Sequence, residues 1–159
     1  MPTTSDFEPT LAAVRDLVAA DSAPAARLQT VVALIHDRHP YYEWLGLYLL
    51  RGDMLELGPY VGAPTEHTRI PVGVGVCGTA VAERQNQIVV DVRELSNYLA
   101  CSAAARSEIV VLIWDGDRLL GQIDADGDEV GAFAEADEAF LEAVAELIAP
   151  VVVQYLAAG

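Results

Sequence analysis

The chain reads as an α+β domain in which a central antiparallel sheet carries the N- and C-terminal helices on one face and a ligand pocket on the other. Three observations predict it. Apolar residues recur at helical spacing near both ends, alternating aromatic and branched runs fill the middle, and short turn signals divide those runs into hairpins.

Leu11, Val14 and Val18 put one apolar stripe on a helix from Ser5 to about Ala20, and Leu28, Val31, Val32 and Ile35 do the same from Ser22 to His36. Ser22 is expected as the N-cap of the second helix, with Pro24 in its first turn and His39-Pro40 closing it. From Tyr41 the composition changes: "EWLGLYLL" and "MLELGPYV" flank Arg51-Gly52-Asp53 as a hairpin. "GTAVAERQ", Gly78 to Gln85, reads as a short helix, "QIVV", Gln87 to Val90, as a strand, and Asp91 to about Ala105 as an irregular connection. Two further strands, "SEIVVLIW" and "RLLGQIDAD", join around Asp115-Gly116-Asp117. A long helix from about Glu135 to Ala157 ends the fold, and Pro150 is expected to kink or divide it. There is no internal repeat, and residues 1–159 are expected to form a single domain.

At 159 residues, with 53% of them hydrophobic and spread along the chain, a core can form without disulfide staples. Nine basic against 24 acidic residues give a formal charge of −15, which excludes nucleic acid and anionic membranes as natural partners, because such binding needs Lys and Arg to displace counterions. No basic segment leads into an apolar one at the start, and no uninterrupted apolar run is long enough to span a bilayer, so a cytoplasmic protein is expected.

Strand side chains alternate. In "SEIVVLIW", Ile109, Val111 and Ile113 share one face while Glu108, Val110, Leu112 and Trp114 share the other. In "RLLGQIDAD", Leu119, Gly121, Ile123 and Ala125 stand opposite Leu120, Gln122, Asp124 and Asp126. The apolar face belongs to the terminal helices, leaving Glu108, Asp124 and Asp126 on the other. A three-residue loop, Asp115 to Asp117, pairs Trp114 with Arg118 and sets Glu108 across from Asp124; a two-residue Asp115-Gly116 turn instead sets Glu108 across from Ile123 and breaks the cluster. Crowded carboxylates persist only with a compensating cation, such as a metal or a ligand ammonium. Taken alone, the three read first as an ordinary solvated face.

In the first hairpin Trp44, Gly46 and Tyr48 share a face, with the glycine opening a notch between two aromatics. Beside carboxylates, such a notch suits a small cation with an apolar tail. The two cysteines, Cys77 and Cys101, form no Cys-x-x-Cys pair, and their spacing with the three histidines matches no zinc pattern, so neither a metal nor any other cofactor is expected. Cys77 lies between Gly75 and Gly78 at a helix start, where unpaired N–H groups favour a thiolate. Cys101 lies on the connection running toward Glu108.

"RIPVGVGVCGTAVAERQNQIVVDV", "YLACSAAARSEIVV" and "LLGQIDAD" together resemble a GAF domain of the free methionine-(R)-sulfoxide reductase family, over most of the chain from about Tyr42. The resemblance implies reduction of the R-sulfoxide of free methionine, thioredoxin or another thiol as reductant, and a homodimer. It also implies site roles: Cys101 as the catalytic cysteine, Cys77 as a second redox cysteine, Glu108, Asp124 and Asp126 around the substrate ammonium, and Trp44 and Tyr48 as the wall around its methyl group. Glu108 or an aspartate is the expected proton donor. The chain departs from the family pattern at His67, where a third cysteine is common, at Ser102, where Asp is frequent, and at Leu112, where Pro is frequent. Two rival readings keep the fold without the chemistry: a small-ligand-binding GAF module and a redox sensor built on the two thiols.

Overall fold

A computed structural model describes residues 2–95 and 104–159. After a 3-10 turn, Thr4–Phe7, come α1 (Glu8–Val18), α2 (Pro24–Arg38), β1 (Trp44–Arg51), β2 (Met54–Val61), β3 (Arg69–Pro71), α3 (Gly75–Glu83) and β4 (Gln87–Val89). A second 3-10 turn, Val92–Glu94, precedes β5 (Ser107–Asp115), β6 (Arg118–Gly127) and α4 (Glu135–Ala158). The six strands make one antiparallel sheet in the order β3-β2-β1-β6-β5-β4. β1, β2 and β3 pair in sequence and so do β4, β5 and β6; β1 and β6 join the two halves at the centre, which leaves the consecutive strands β3 and β4 at opposite edges.

The helix-bearing face is hydrocarbon throughout. Val14 of α1, Leu28, Val31, Val32 and Ile35 of α2, and Phe140, Leu141, Val144, Ile148 and Val152 of α4 bury against Leu45, Leu47, Leu49, Ile109, Val111, Ile113, Ile123 and Ala125 of the sheet. Fully burying a side chain of this size contributes about 1.5–3 kcal/mol, so this layer supplies the main driving force for the fold. Thr10 and His39 add a polar clasp at its edge, their side chains 2.8 Å apart. Behind it Tyr41 and Tyr42 both donate to Asp137 Oδ1 near the start of α4.

One local expectation is corrected and a second is narrowed. Ala23, not Ser22, occupies the N-cap of α2, and no side chain caps it; Pro24 instead begins the helix with its ring-fixed φ. Pro150 does not divide α4, which runs unbroken for 24 residues. Both Pro150 and Glu146, whose carbonyl loses its N–H partner there, are exposed, so water can take the place of the missing bond. Finally, α4 is long and apolar enough by length and composition to cross a membrane. Its apolar side is spent on the sheet, however, while Glu142 and Glu146 face outward.

Candidate active site

The turn of the second hairpin is the two residues Gly116 and Asp117, for Asp115 pairs with Arg118 and Trp114 with Leu119. Neither turn expected from the sequence forms. Left alone, this register would set Glu108 opposite Ala125 and split the carboxylates between faces. A β-bulge prevents it. Pairing jumps from Trp114↔Leu119 to Ile113↔Gly121, so Leu120 is the extra residue. Beyond the bulge Glu108 lies directly opposite Asp126, and Val110 opposite Asp124, which makes Asp124 the diagonal neighbour of Glu108 rather than its partner. The bulge also exchanges two leucines: Leu120 joins the helix-side core and Leu119 the other face, the reverse of simple alternation. Gly121 fits here because a Cβ would stand 2.2 Å from the Tyr48 carbonyl oxygen.

Across β6, strand β1 extends the same face. Trp44 pairs with Asp126, Gly46 with Asp124 and Tyr48 with Gln122. Three rows of side chains therefore cross the sheet: Trp44, Asp126 and Glu108; Gly46, Asp124 and Val110; Tyr48, Gln122 and Leu112. The notch over Gly46 is not open, because the Trp44 indole leans across it: a Cβ at position 46 would lie 2.5 Å from that ring and 2.8 Å from Tyr60 Cβ. Trp44 stacks on Tyr48 and on Tyr60 at centroid separations of 6.2 and 5.5 Å. Its indole N–H donates to the Ala63 carbonyl at 3.0 Å, and the Tyr48 hydroxyl to the His67 carbonyl at 2.7 Å. Both rings are thus fixed by the backbone of the segment after β2.

Helix α3 roofs this face. The helix begins at Gly75, three residues before the expected start at Gly78, so Cys77 is its third residue, and its thiol donates to Glu108 Oε2 at 3.6 Å. Gln122 Nε2 donates to the Cys77 carbonyl at 3.0 Å and ties the helix start to the centre of the sheet. Sγ of Cys77 and carboxylate oxygens of Glu108 and Asp124 lie within 4.8 Å of one another, all buried.

The electrostatics are severe. Glu108, Asp124 and Asp126 are each at most 1% exposed. The ion pairs among the described residues, Arg51 and Arg69 with Glu56 and Arg93 with Asp91, lie elsewhere. Burial pushes Glu108 well above the ordinary carboxylate range, helped by the charges of Asp124 and Asp126 and a hydrogen bond with Asp124, while the Cys77 thiol opposes the shift. Asp126 is raised in the same direction by burial, then by Asp124 and by Glu43. Among the described residues Glu108 Oε1 and both carboxylate oxygens of Asp126 have no hydrogen-bond partner.

Trp44, Tyr48, Glu108, Asp124 and Asp126 therefore share one face of the sheet, and Cys77 of α3 stands beside Glu108 and Asp124. Cys101 and Ser102 lie outside the described residues. Sequence reasoning passed over Gln122, although alternation had put it on the acidic face, and Tyr60, whose ring completes the aromatic wall. It also passed over Glu43, which precedes β1 and follows no alternation that would reveal it. The arrangement can hold a small amine through carboxylates, seat an apolar tail on indole and phenol rings, and supply a proton from a carboxylic acid.

The GAF domain model matches residues 17–153. The free methionine-R-sulfoxide reductase of Escherichia coli is 41% identical over 122 residues, covering 77% of this chain and 73% of that protein. The structure of the free methionine-R-sulfoxide reductase of Neisseria meningitidis in complex with its substrate superposes with a TM-score of 0.89 at 31% identity, covering 98% of this chain and 93% of the other. That of Staphylococcus aureus, also with substrate, gives a TM-score of 0.84 at 36% identity, covering 96% and 97%. By its sequence and its fold, the chain belongs to the GAF-domain family of free methionine-R-sulfoxide reductases.

Proposed function

We propose that this chain, as one GAF domain over residues 1–159, reduces free methionine-(R)-sulfoxide to methionine. The observation that carries the reading is the buried trio Glu108, Asp124 and Asp126 facing Trp44 and Tyr48. A trio of buried acids is complementary to an α-ammonium group, and the adjoining rings to a methyl group. A peptide-bound sulfoxide has no free ammonium and so forfeits that contact.

In this reading the Cys101 sulfur attacks the sulfoxide sulfur, and Glu108, kept protonated by its surroundings, gives its proton to the sulfoxide oxygen. The oxygen passes to Cys101 as a sulfenic acid, the S–O bond of the substrate breaks, and methionine leaves with the electron pair. A second thiol then condenses with the sulfenic acid, releasing water and forming a disulfide. Cys77 serves this step where it reaches Cys101, and a small or protein thiol serves it otherwise; a thioredoxin-type dithiol reduces the disulfide by exchange. With His67 in place of a third cysteine, recycling falls to Cys77 or to the external thiol. The cycle needs a reducing compartment, and the cytoplasm supplies one. A homodimer rests on the family resemblance alone, since the apolar sides of the terminal helices are spent on the sheet.

The test is to offer the purified chain free R-sulfoxide, free S-sulfoxide and a peptide-bound sulfoxide with a thiol reductant, and to measure methionine released. Release from the free R form alone is expected; release from the S form alone, or from none, overturns the reading. Cys101→Ser is expected to lower turnover by on the order of 10⁴-fold while substrate still binds, whereas a ligand-binding module without chemistry would lose nothing. Cys77→Ser should leave the first turnover intact and slow the later ones.

A further inference from the structure

From the placement of Cys77, Glu108, Asp124 and Asp126 we infer that the reduced, substrate-free pocket is a binding site for a borderline-soft divalent cation of the zinc type, and that such an ion excludes the sulfoxide. Cysteine and histidine spacing gave no hint of it, since only folding joins one thiol from α3 to carboxylates from β5 and β6.

The geometry suits such an ion. A tetrahedral zinc ion with bonds of about 2.3 Å to sulfur and about 2.0 Å to oxygen holds those two atoms about 3.5 Å apart. Cys77 Sγ and Glu108 Oε2 already stand 3.6 Å apart, and an Asp124 oxygen lies within 4.8 Å of both. A second observation points to a ligand independently. Asp126, 1% exposed and directly opposite Glu108 on the same face, has no hydrogen-bond partner for either carboxylate oxygen among the described residues, and neither has Glu108 Oε1. Buried acceptors of that kind are costly unless a cation meets them. A thiolate with hard oxygens selects zinc, cobalt or cadmium over calcium and magnesium, which take oxygen alone. Binding displaces the Cys77 and Glu108 protons to solvent and involves no change of oxidation state.

Exclusion of the sulfoxide rests on the proposed function, because the carboxylates that hold the ion are those that would hold the ammonium. By linkage, each ligand must weaken the other by the same factor.

Cobalt(II) reports directly on the inner sphere. Titrating the reduced, full-length chain with cobalt chloride should saturate at about one equivalent, with a thiolate-to-metal charge-transfer band in the near ultraviolet and the strong visible bands of a four-coordinate ion. Zinc chloride should bleach both. The band should vanish in Cys77→Ser and survive in Cys101→Ser, and free methionine sulfoxide added to Cys101→Ser should weaken cobalt binding. Glu108→Gln, which keeps the thiol, should weaken it at least tenfold, so the test stands even where Cys77→Ser fails to fold. Absence of the band, its survival in Cys77→Ser, or unchanged affinity in Glu108→Gln overturns the inference. A chain that reduces the sulfoxide yet shows no band refutes the metal site alone; one that shows the band yet releases no methionine refutes the reductase reading alone.

Discussion

On one face of the sheet Ile109, Val111, Ile113, Ile123 and Ala125 lie buried in the helix-side core; one residue along the same strands, Glu108, Asp124 and Asp126 are buried as deeply on the other. Backbone, strands and depth are shared, and only the chemistry differs. The helix face contributes hydrophobic stabilisation with every side chain. The pocket face holds carboxylates whose burial, and after it the charge of their neighbours, raises the proton affinity of Glu108 and Asp126, with acceptors left without partners among the described residues. A fold selected for stability alone would not keep that trio; in the proposed function the second face serves the ligand and is held in shape by the first.

The sharpest break of this comparison comes from the stable side. Leu47 of β1 is 1% exposed and pairs with Ile123 at the sheet centre. Leu47→Ala should cost about 2–5 kcal/mol of unfolding free energy by denaturant titration, because the cavity cannot collapse between sheet and helices. Loss of under about 1 kcal/mol would mean that this face is not the packed core described.

Gly46→Ala probes the other face with one methyl group. The new carbon would stand 2.5 Å from the Trp44 indole and 2.8 Å from Tyr60 Cβ, so the rings must shift. A displaced aromatic wall should lower kcat/KM by about 10- to 100-fold, mainly through KM, with a smaller change in melting temperature. Unaltered kinetics would remove Trp44 from the substrate wall.

Much of this contrast was legible in the sequence, and the parts that were not share a cause. Periodicity marked the helix stripe of Leu28, Val31, Val32 and Ile35 and the alternation at Glu108, because a buried stripe must repeat with its element. Register was not legible. It depends on how many residues the turn consumes and on whether a bulge absorbs the remainder, and neither Asp115-Gly116-Asp117 nor Leu119-Leu120 carries a period. The carboxylates reached one face by a route different from the one expected: a shorter turn would have separated them, and the extra residue at Leu120 restored parity. Ser22 misled because a good capping residue is only a preference, and Pro24 starts a helix without one. The notch at Gly46 failed for want of side-chain direction, which alternation alone does not supply. The thiol–carboxylate contact of Cys77 with Glu108 joins residues 31 apart and has no local signature at all.

The smallest effect concerns protonation and is confined to the carboxylate face. Glu108 and Asp126 bind protons more tightly folded than unfolded, so their contribution to stability is complete below the ordinary carboxylate range and is lost as pH rises toward their shifted values. The hydrocarbon face has no such dependence. Melting temperatures taken from about pH 5 to about pH 8 should therefore fall in the parent chain, and fall less in Glu108→Gln, whose side chain cannot ionise. Asp126→Asn should go further and raise stability near neutral pH by about 1 kcal/mol, removing a buried charge beside Asp124 and Glu43 while weakening substrate binding. Gain of stability with loss of affinity is the pattern of a residue kept for its ligand. Loss of both would make Asp126 a structural member of the sheet, and the contrast between the faces would shrink to Glu108 and Asp124.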